Sequence, residues 1–365
     1  MAAPLKVALI GAGQIGPRHA QAVMQDPNTT LVCVVDPSPH GATTAAELNT
    51  AYFPSVKALL ESGSAALPDA AIVCTPNDLH VPLSTALLSA GVHVLCEKPL
   101  SVDSASGRML CDVAAAHGTH LLTAHHRRFN AYVVAAKRIL ERGEGQGGVG
   151  QVTAVSGIWA LLKPGAYFEP PLEWHSSAES GGPVMINLIH DIDVLHYLLG
   201  SKVTKVAAFQ AKKRRGHDAE EGGAIILHFE NGVVGTFVLS DAVVSCHSFE
   251  MGTGENPAIP HTGKDVYRIF GTEGTLSVPD LKRSFYGEGV DKSWWNQLSE
   301  VTETLEDLLS EEERAKVPFE QQVAHLVRVI RGEEKPVCSG EDGLAAVRVA
   351  EAVKKALSTG EVVNV

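Results

Sequence analysis

Gly11, Gly13 and Gly16 stand in the spacing Gly-x-Gly-x-x-Gly, with Gln14 and Ile15 before the last glycine, directly after an apolar run ending at Ile10. That order suits a dinucleotide. Gly11 permits a tight strand-to-helix turn, Gly13 lets a pyrophosphate approach the backbone, and Gly16 lets helix and strand pack closely. Free N–H groups and the dipole at the helix start attract the phosphate charge. Asp36 closes the next apolar run, Leu31–Val35, twenty residues beyond Gly16. A carboxylate there accepts hydrogen bonds from the adenosine ribose hydroxyls and repels a 2′-phosphate. Pro37 and Ser38 follow where an NADP site would place arginine, so the pattern favours NAD over NADP. The blander readings are a glycine-rich surface turn and a turn aspartate before Pro37.

The elements that must position these groups follow from periodicity. Strand-like runs at 5–10, 30–35, 70–74, 92–96 and 119–124 alternate with helical patterns at 17–25, 41–49, 55–62, 79–90 and 101–117. Such alternation predicts right-handed crossovers and a doubly wound parallel Rossmann sheet, with ligands beyond the carboxyl ends of the strands. The residues after those ends are Thr75, Pro76, Asn77 and His80, then Glu97 and Lys98, then His125 to Phe129 with Arg127 and Arg128. Three polar clusters on one rim point to a site. Thr75, Pro76, Asn77, His80, Glu97, Lys98 and Arg128, with Gln14 and Ile15, are the expected cofactor contacts. Arg127 suits a substrate carboxylate; a salt bridge at the domain junction explains it equally.

From residue 130 the character changes. An amphipathic helix at 130–142 and a loop over 141–150 with five glycines precede longer strands at 151–162, 202–212, 223–230, 232–241 and 265–270. Asn231-Gly232 signals a tight hairpin. The expected fold is α/β: a Rossmann domain over 1–126, and a second α/β domain with a large, mostly antiparallel open sheet over 127–365. Helices are expected at 183–199, 319–331 and 341–358, the last packing back on the first domain. Lys163 and Tyr167, then Trp174, lie in a loop placed to cover a substrate. Aromatic rings suit the apolar face of a sugar, and Lys163 its hydroxyls or an acid group; core packing accounts for Tyr167 and Trp174 about as well. The polar stretch 247–257 is a further candidate for the same pocket.

Composition excludes several classes. The 365 residues are 45% hydrophobic and 20% charged, with a net charge of −12, an ordinary globular balance with no basic footprint for nucleic acid or an anionic membrane. Lys212 to Arg215 form one basic run, read as a solvated loop between strands. No run approaches the roughly 18 apolar residues of a spanning helix, and Met1 to Lys6 carry no secretion signal. The six cysteines lack metal-ligand spacing, so no metal is expected and reduced thiols suit a cytoplasmic protein.

Glu97-Lys98-Pro99, the N-terminal GAGQIGPRHA and the CTPNDLH at 74–80 together resemble the glucose-fructose oxidoreductase / inositol dehydrogenase / MocA family. RRF at 127–129, GGPVMINLIHDIDVLHYLLG at 181–200, FGTEGTL at 270–276 and SGEDGLAAV near the C-terminus extend the resemblance over the whole chain. It implies a homodimer or homotetramer formed through the second sheet. It also implies that Lys98 and His190 flank the carbon that exchanges hydride with the nicotinamide. A neutral histidine takes the hydroxyl proton near pH 7. A lysine on the reacting oxygen stabilises alkoxide character, its pKa lowered by burial and the nicotinamide charge. Without the resemblance, His190 reads as a helix histidine capped by Asp193.

One departure stands out. Many relatives carry Asp four residues before this histidine; here it is Ile186, and Asn187 lies on the neighbouring face, able to hold a substrate hydroxyl but not to relay a proton. The implied activity is an NAD-dependent oxidation of a secondary hydroxyl on a cyclic polyol, sugar or hydroxylated ring acid. The alternatives are a redox-neutral NAD-using reaction through a transient ketone and a non-catalytic ligand sensor.

Overall fold

The computed structural model describes residues 3–63, 67–143 and 145–365. Met1 and Ala2 of the N-terminal stretch and Glu144 of the 141–150 loop lie outside them. The chain forms two compact units, residues 1–129 with 316–347 and residues 130–315 with 348–365.

The first unit holds six strands: β1 (Leu5–Ile10), β2 (Thr29–Val35), β3 (Ala51–Phe53), β4 (Ala70–Val73), β5 (His93–Cys96) and β6 (Leu121–Thr123). Their order is β3-β2-β1-β4-β5-β6, and every pairing is parallel. The inner strands are apolar throughout because both faces are covered, as the buried Ala70–Val73 shows. The order reverses between β1 and β4, and their carboxyl ends flank the crevice where a parallel sheet of this kind binds ligands. The short edge strand β3 escaped the pattern because Ala51 and Tyr52 are exposed. Helix Pro318–Ile330 also belongs here: Val323, Leu326 and Val329 join the core with Ala20, Val23 and Leu9.

The second unit holds nine strands: β7 (Val152–Ala160), β8 (Val203–Gln210), β9 (Gly222–Phe229), β10 (Val234–Ser240), β11 (Tyr267–Gly271), β12 (Gly274–Val278), β13 (Lys282–Phe285), β14 (Ser299–Thr302) and β15 (Val363–Asn364). Their order is β14-β13-β12-β11-β7-β10-β9-β8-β15. The pairing of β10 with β7 is parallel and the others are antiparallel. The β9–β10 hairpin turns at Asn231-Gly232, where Gly232 takes φ +87°. On the sheet, Phe209, Ala224 and Val238 stand in register across β8, β9 and β10, and with Ile226 they leave an apolar face open: Phe209 is 72% exposed. Helix 183–199 proves to be two pieces, a π-helical turn at Val184–Leu188 and an α-helix at Ile189–Leu199. No helix among the described residues is long and apolar enough to cross a membrane.

Candidate active site

In the first unit the three glycines divide the work as their spacing suggests. Gly11 has φ +95°, and a Cβ there would sit 2.6 Å from the Cys74 carbonyl oxygen. A Cβ on Gly16 would sit 2.6 Å from the Gly11 carbonyl oxygen, so the helix start packs directly on the turn. A Cβ on Gly13 would meet nothing within 4 Å, which leaves open the approach a pyrophosphate needs. Helix Gly16–Gln25 has no acidic residue in its first turn, so its positive end is not neutralised.

Asp36 closes the nucleotide end. Its Oδ2 accepts from the Ala12 N–H at 2.8 Å, and its Oδ1 accepts from the Ser38 N–H at 2.8 Å and hydroxyl at 2.6 Å. Burial works against the charge, but the Ser38 hydroxyl and the Ala12 and Ser38 amides outweigh it and hold the carboxyl below its usual range. Three of about four acceptor positions are used; one on Oδ2 remains for a ribose hydroxyl. The residues fit a dinucleotide.

Behind the rim lies a buried histidine–carboxylate contact that sequence reasoning missed. His19 Nε2 lies 2.8 Å from Glu97 Oε1, and Glu97 Oε2 accepts from the Lys98 N–H at 3.0 Å. Burial opposes the Glu97 charge, yet the contact with His19 prevails and its pKa falls to about 2. His19 lies inside GAGQIGPRHA, yet its partner is visible only once β1 and β5 share a sheet. His80 is fully buried, and both its ring nitrogens face carbonyl oxygens, those of Pro99 and Thr75. The ring thereby links the Thr75 and Pro99 segments of the rim. Arg127 and Arg128 are buried in the 3-10 turn His126–Phe129. Arg128 donates to the Val337 carbonyl and lies 3.7 Å from Asp342, fastening the later segment of this unit.

The second unit supplies a cavity of about 560 Å³ that brings together Lys163, Tyr167 and Asn187. Lys163 Nζ donates to Asn187 Oδ1 at 2.8 Å and lies 3.7 Å from Asp241 Oδ2. It stands 4.4 Å from the centre of the Tyr167 ring. Burial lowers its pKa to about 8, with Asp241 and Glu250 resisting the fall. The stretch 247–257 contributes Glu250, Met251 and Asn256 to the wall, and Glu250 Oε2 accepts from the Trp159 indole at 2.8 Å. Trp174 stands aside, 41% exposed with its ring on His175.

Asn187 reaches the cavity from the π-helical turn, which Glu220 anchors by accepting from the Val184 N–H at 3.0 Å. Single π turns frequently mark functional sites. His190 is buried at the head of the helix that follows, and next to it Asp191 accepts from the Tyr267 hydroxyl. Asp241 had no sequence signal, but it also corrects the reading of the basic run as merely solvated: Arg215 donates to it at 2.6 Å and stacks on Phe168. All six cysteines are free thiols.

The model of an oxidoreductase family with an NAD-binding Rossmann fold matches residues 5–125, and that of the family's C-terminal alpha/beta domain matches residues 145–365. The chain belongs to this family, glucose-fructose oxidoreductase / inositol dehydrogenase / MocA. Among its relatives, the inositol 2-dehydrogenase of Rhizobium meliloti is 31% identical over 57% of this chain and 58% of its own. The D-glucoside 3-dehydrogenase of Escherichia coli is 31% identical over 55% and 56%. The WlbA dehydrogenase of Bordetella pertussis, solved with NADH and UDP-GlcNAcA, has the same fold: TM-score 0.78 at 21% identity, covering 100% of this chain and 99% of that one. Both domains of this NAD-binding oxidoreductase family are thus present, the dinucleotide fold first and the α/β sheet domain second.

Proposed function

We propose that this oxidoreductase moves hydride between a secondary hydroxyl of a cyclic polyol, sugar or hydroxylated ring acid and NAD, with Lys98 and His190 at the reacting carbon. The observation that carries the reading is the cavity in which Lys163, Asn187 and Glu250 present donors and an acceptor to hydroxyls, in a chain whose glycine turn and Asp36 suit NAD. Its relatives named for inositol and D-glucoside dehydrogenation support the same class of substrate.

NAD supplies the hydride acceptor when bound. Gly11 to Gly16 hold its pyrophosphate, and the Asp36 carboxylate selects NAD over NADP by excluding a 2′-phosphate. Thr75, Pro76, Asn77 and Glu97, with the Lys98 backbone, form the rest of the cofactor rim, which His80 and Arg128 brace. Oxidation frees one proton from the hydroxyl while hydride leaves the same carbon. His190 takes that proton at a ring nitrogen, and the Lys98 ammonium steadies the oxygen as charge develops on it. With Ile186 in place of aspartate, His190 works without a carboxylate four residues earlier. Lys163, Tyr167 and Asn187 orient the ring, and Arg127 and Trp174 are the further substrate contacts of this reading. The open apolar face at Phe209, Ile226 and Val238 supports a homodimer or homotetramer, and the free thiols suit the cytoplasm.

The test is to mix the purified protein with NAD or NADP and a panel of cyclitols, pyranoses and ring hydroxy acids, following reduced nicotinamide by absorbance. Turnover with NAD, lost in Lys98→Ala and His190→Ala, is the expected result. Bound NAD with no net reduction of any compound would instead favour redox-neutral chemistry or ligand sensing.

A further inference from the structure

The cavity in the second unit is lined by two unlike sets of side chains. Lys163, Asn187, Glu250, Ser245 and Asn256 are polar and already hydrogen-bonded to their neighbours. Leu162, Pro164, Val244, Met251, Ile259 and Pro260 are apolar. Leu162 is 57% exposed and Val244 91% exposed, so this wall is unfinished by the protein around it. The two residues ride adjoining segments bridged at Leu162 and Ala242.

Several backbone donors along the cavity are already spent. The Leu161 N–H donates to Ser240, the Lys163 N–H to Asp241 and the Ile259 N–H to Asn256, each at a carbonyl. The Met251 N–H donates to the Ser248 hydroxyl. Pro164 and Pro260 have no N–H at all. A ring with a hydroxyl on every carbon would set several of those hydroxyls against apolar side chains that offer no hydrogen bond, and each one left without a partner costs about tenfold in affinity.

Charge narrows the ligand further. Lys163 is matched by Asp241 at 3.7 Å, and Arg215 engages the same carboxylate at 2.6 Å. Glu250 brings a second carboxyl group to the lining. An anionic ring acid finds no unbalanced cation there.

We propose that the substrate is a neutral glycoside with an apolar aglycone: the hydroxylated ring sits on Lys163, Asn187 and Glu250, and the alkyl or aryl group lies along Leu162, Val244 and Ile259. This rests on the cavity being the substrate pocket of the oxidoreductase. It separates the substrate from a fully hydroxylated cyclitol and from a ring acid.

The experiment compares kcat/KM with NAD for methyl and phenyl glucosides, galactosides and mannosides, alongside myo-inositol and a cyclohexane hydroxy acid. For at least one sugar the phenyl glycoside is expected to exceed its methyl counterpart, and both ring compounds, by tenfold or more. The Leu162→Ser, Val244→Ser double variant is expected to bring the phenyl-to-methyl ratio close to one while NAD still raises its melting temperature, a check that it is folded. Equal or better turnover of myo-inositol or the acid overturns the inference and leaves the oxidoreductase reading intact. So does a phenyl-to-methyl ratio unchanged in the variant. If NAD binds and no ring compound is oxidised, the oxidoreductase reading fails and takes this inference with it.

Discussion

The His80 ring donates from Nδ1 to the Pro99 carbonyl at 2.7 Å and from Nε2 to the Thr75 carbonyl at 2.9 Å. Carbonyl oxygens only accept, so both nitrogens carry protons and the buried ring is a cation. Burial alone would drive it neutral. The neighbouring Cys96 and the two carbonyls outweigh burial and raise its pKa to about 9. The cation ties the end of β4 to the Glu97-Lys98-Pro99 turn after β5.

That charge makes stability depend on pH in a definite direction. The folded pKa of about 9 exceeds the ordinary 6.5, so the stabilisation is complete below 6.5 and is lost as pH rises through 9. His80→Asn is expected to lower stability by about 1–3 kcal/mol near neutral pH, the cost of leaving buried carbonyls without donors. Thermal melts across the range should show the gap between wild type and variant narrowing as pH climbs. A gap of constant size would mean the ring is neutral.

The glycine turn separates folding from binding. Gly11→Ala puts a methyl group 2.6 Å from the Cys74 carbonyl at φ +95° and should cost about 1–3 kcal/mol. Gly13→Ala meets no neighbour within 4 Å, so its melting temperature should match wild type while its NAD affinity falls tenfold or more. Calorimetric titration with NAD and a thermal melt of each variant distinguish the two. Unimpaired NAD binding by Gly13→Ala would remove the pyrophosphate from that turn.

Asp36 should govern the choice of cofactor. Asp36→Ser removes the acceptor for the ribose hydroxyls and the repulsion toward a 2′-phosphate, so the ratio of kcat/KM for NAD over NADP is expected to fall by at least tenfold. Steady-state rates with both nucleotides measure it. Ala12 would lose one hydrogen bond and Ser38 two, so a modest loss of stability accompanies the switch.

Lys163 titrates in the opposite sense to His80. Burial lowers its pKa from 10.5 to about 8; the charged amine therefore costs the fold stability below 8, and that cost disappears as pH climbs toward 10.5. Its donor role implies that KM for the ring substrate rises above pH 8 with a smaller effect on kcat. Lys163→Met should raise KM at neutral pH and flatten that alkaline rise. A profile unchanged in the variant would take Lys163 out of substrate binding.

Legibility in the sequence followed the physics of each element. The parallel strands read clearly because both their faces are buried, making them unbroken apolar runs, as at Ala70–Val73. Strand β14 has no legible pattern: it is exposed along its whole length, so burial left no periodicity to read. The π-helical turn at Val184–Leu188 was also hidden, because its partner Glu220 lies far along the chain. Position after a strand was enough to single out Lys163 and Asp36. It was not enough for Asp241 or the His19–Glu97 pair, whose roles depend on neighbours brought in by the fold. The Trp174 ring, a candidate by its aromatic type, packs on His175 and does not line the cavity.

The first unit is sewn shut by a segment that lies about two hundred residues further along the chain. Val323, Leu326 and Val329 complete the core around Leu9 and Val23, with all of residues 130–315 synthesised between them. On a ribosome working from the N-terminus, the nucleotide fold stays unfinished until the other sheet has been made. Order of synthesis and order of completion are reversed here, and contacts so distant in sequence fold slowly. A stop codon shortly after residue 315 would therefore strip the nucleotide unit of its closing helix while leaving every glycine of its loop in place.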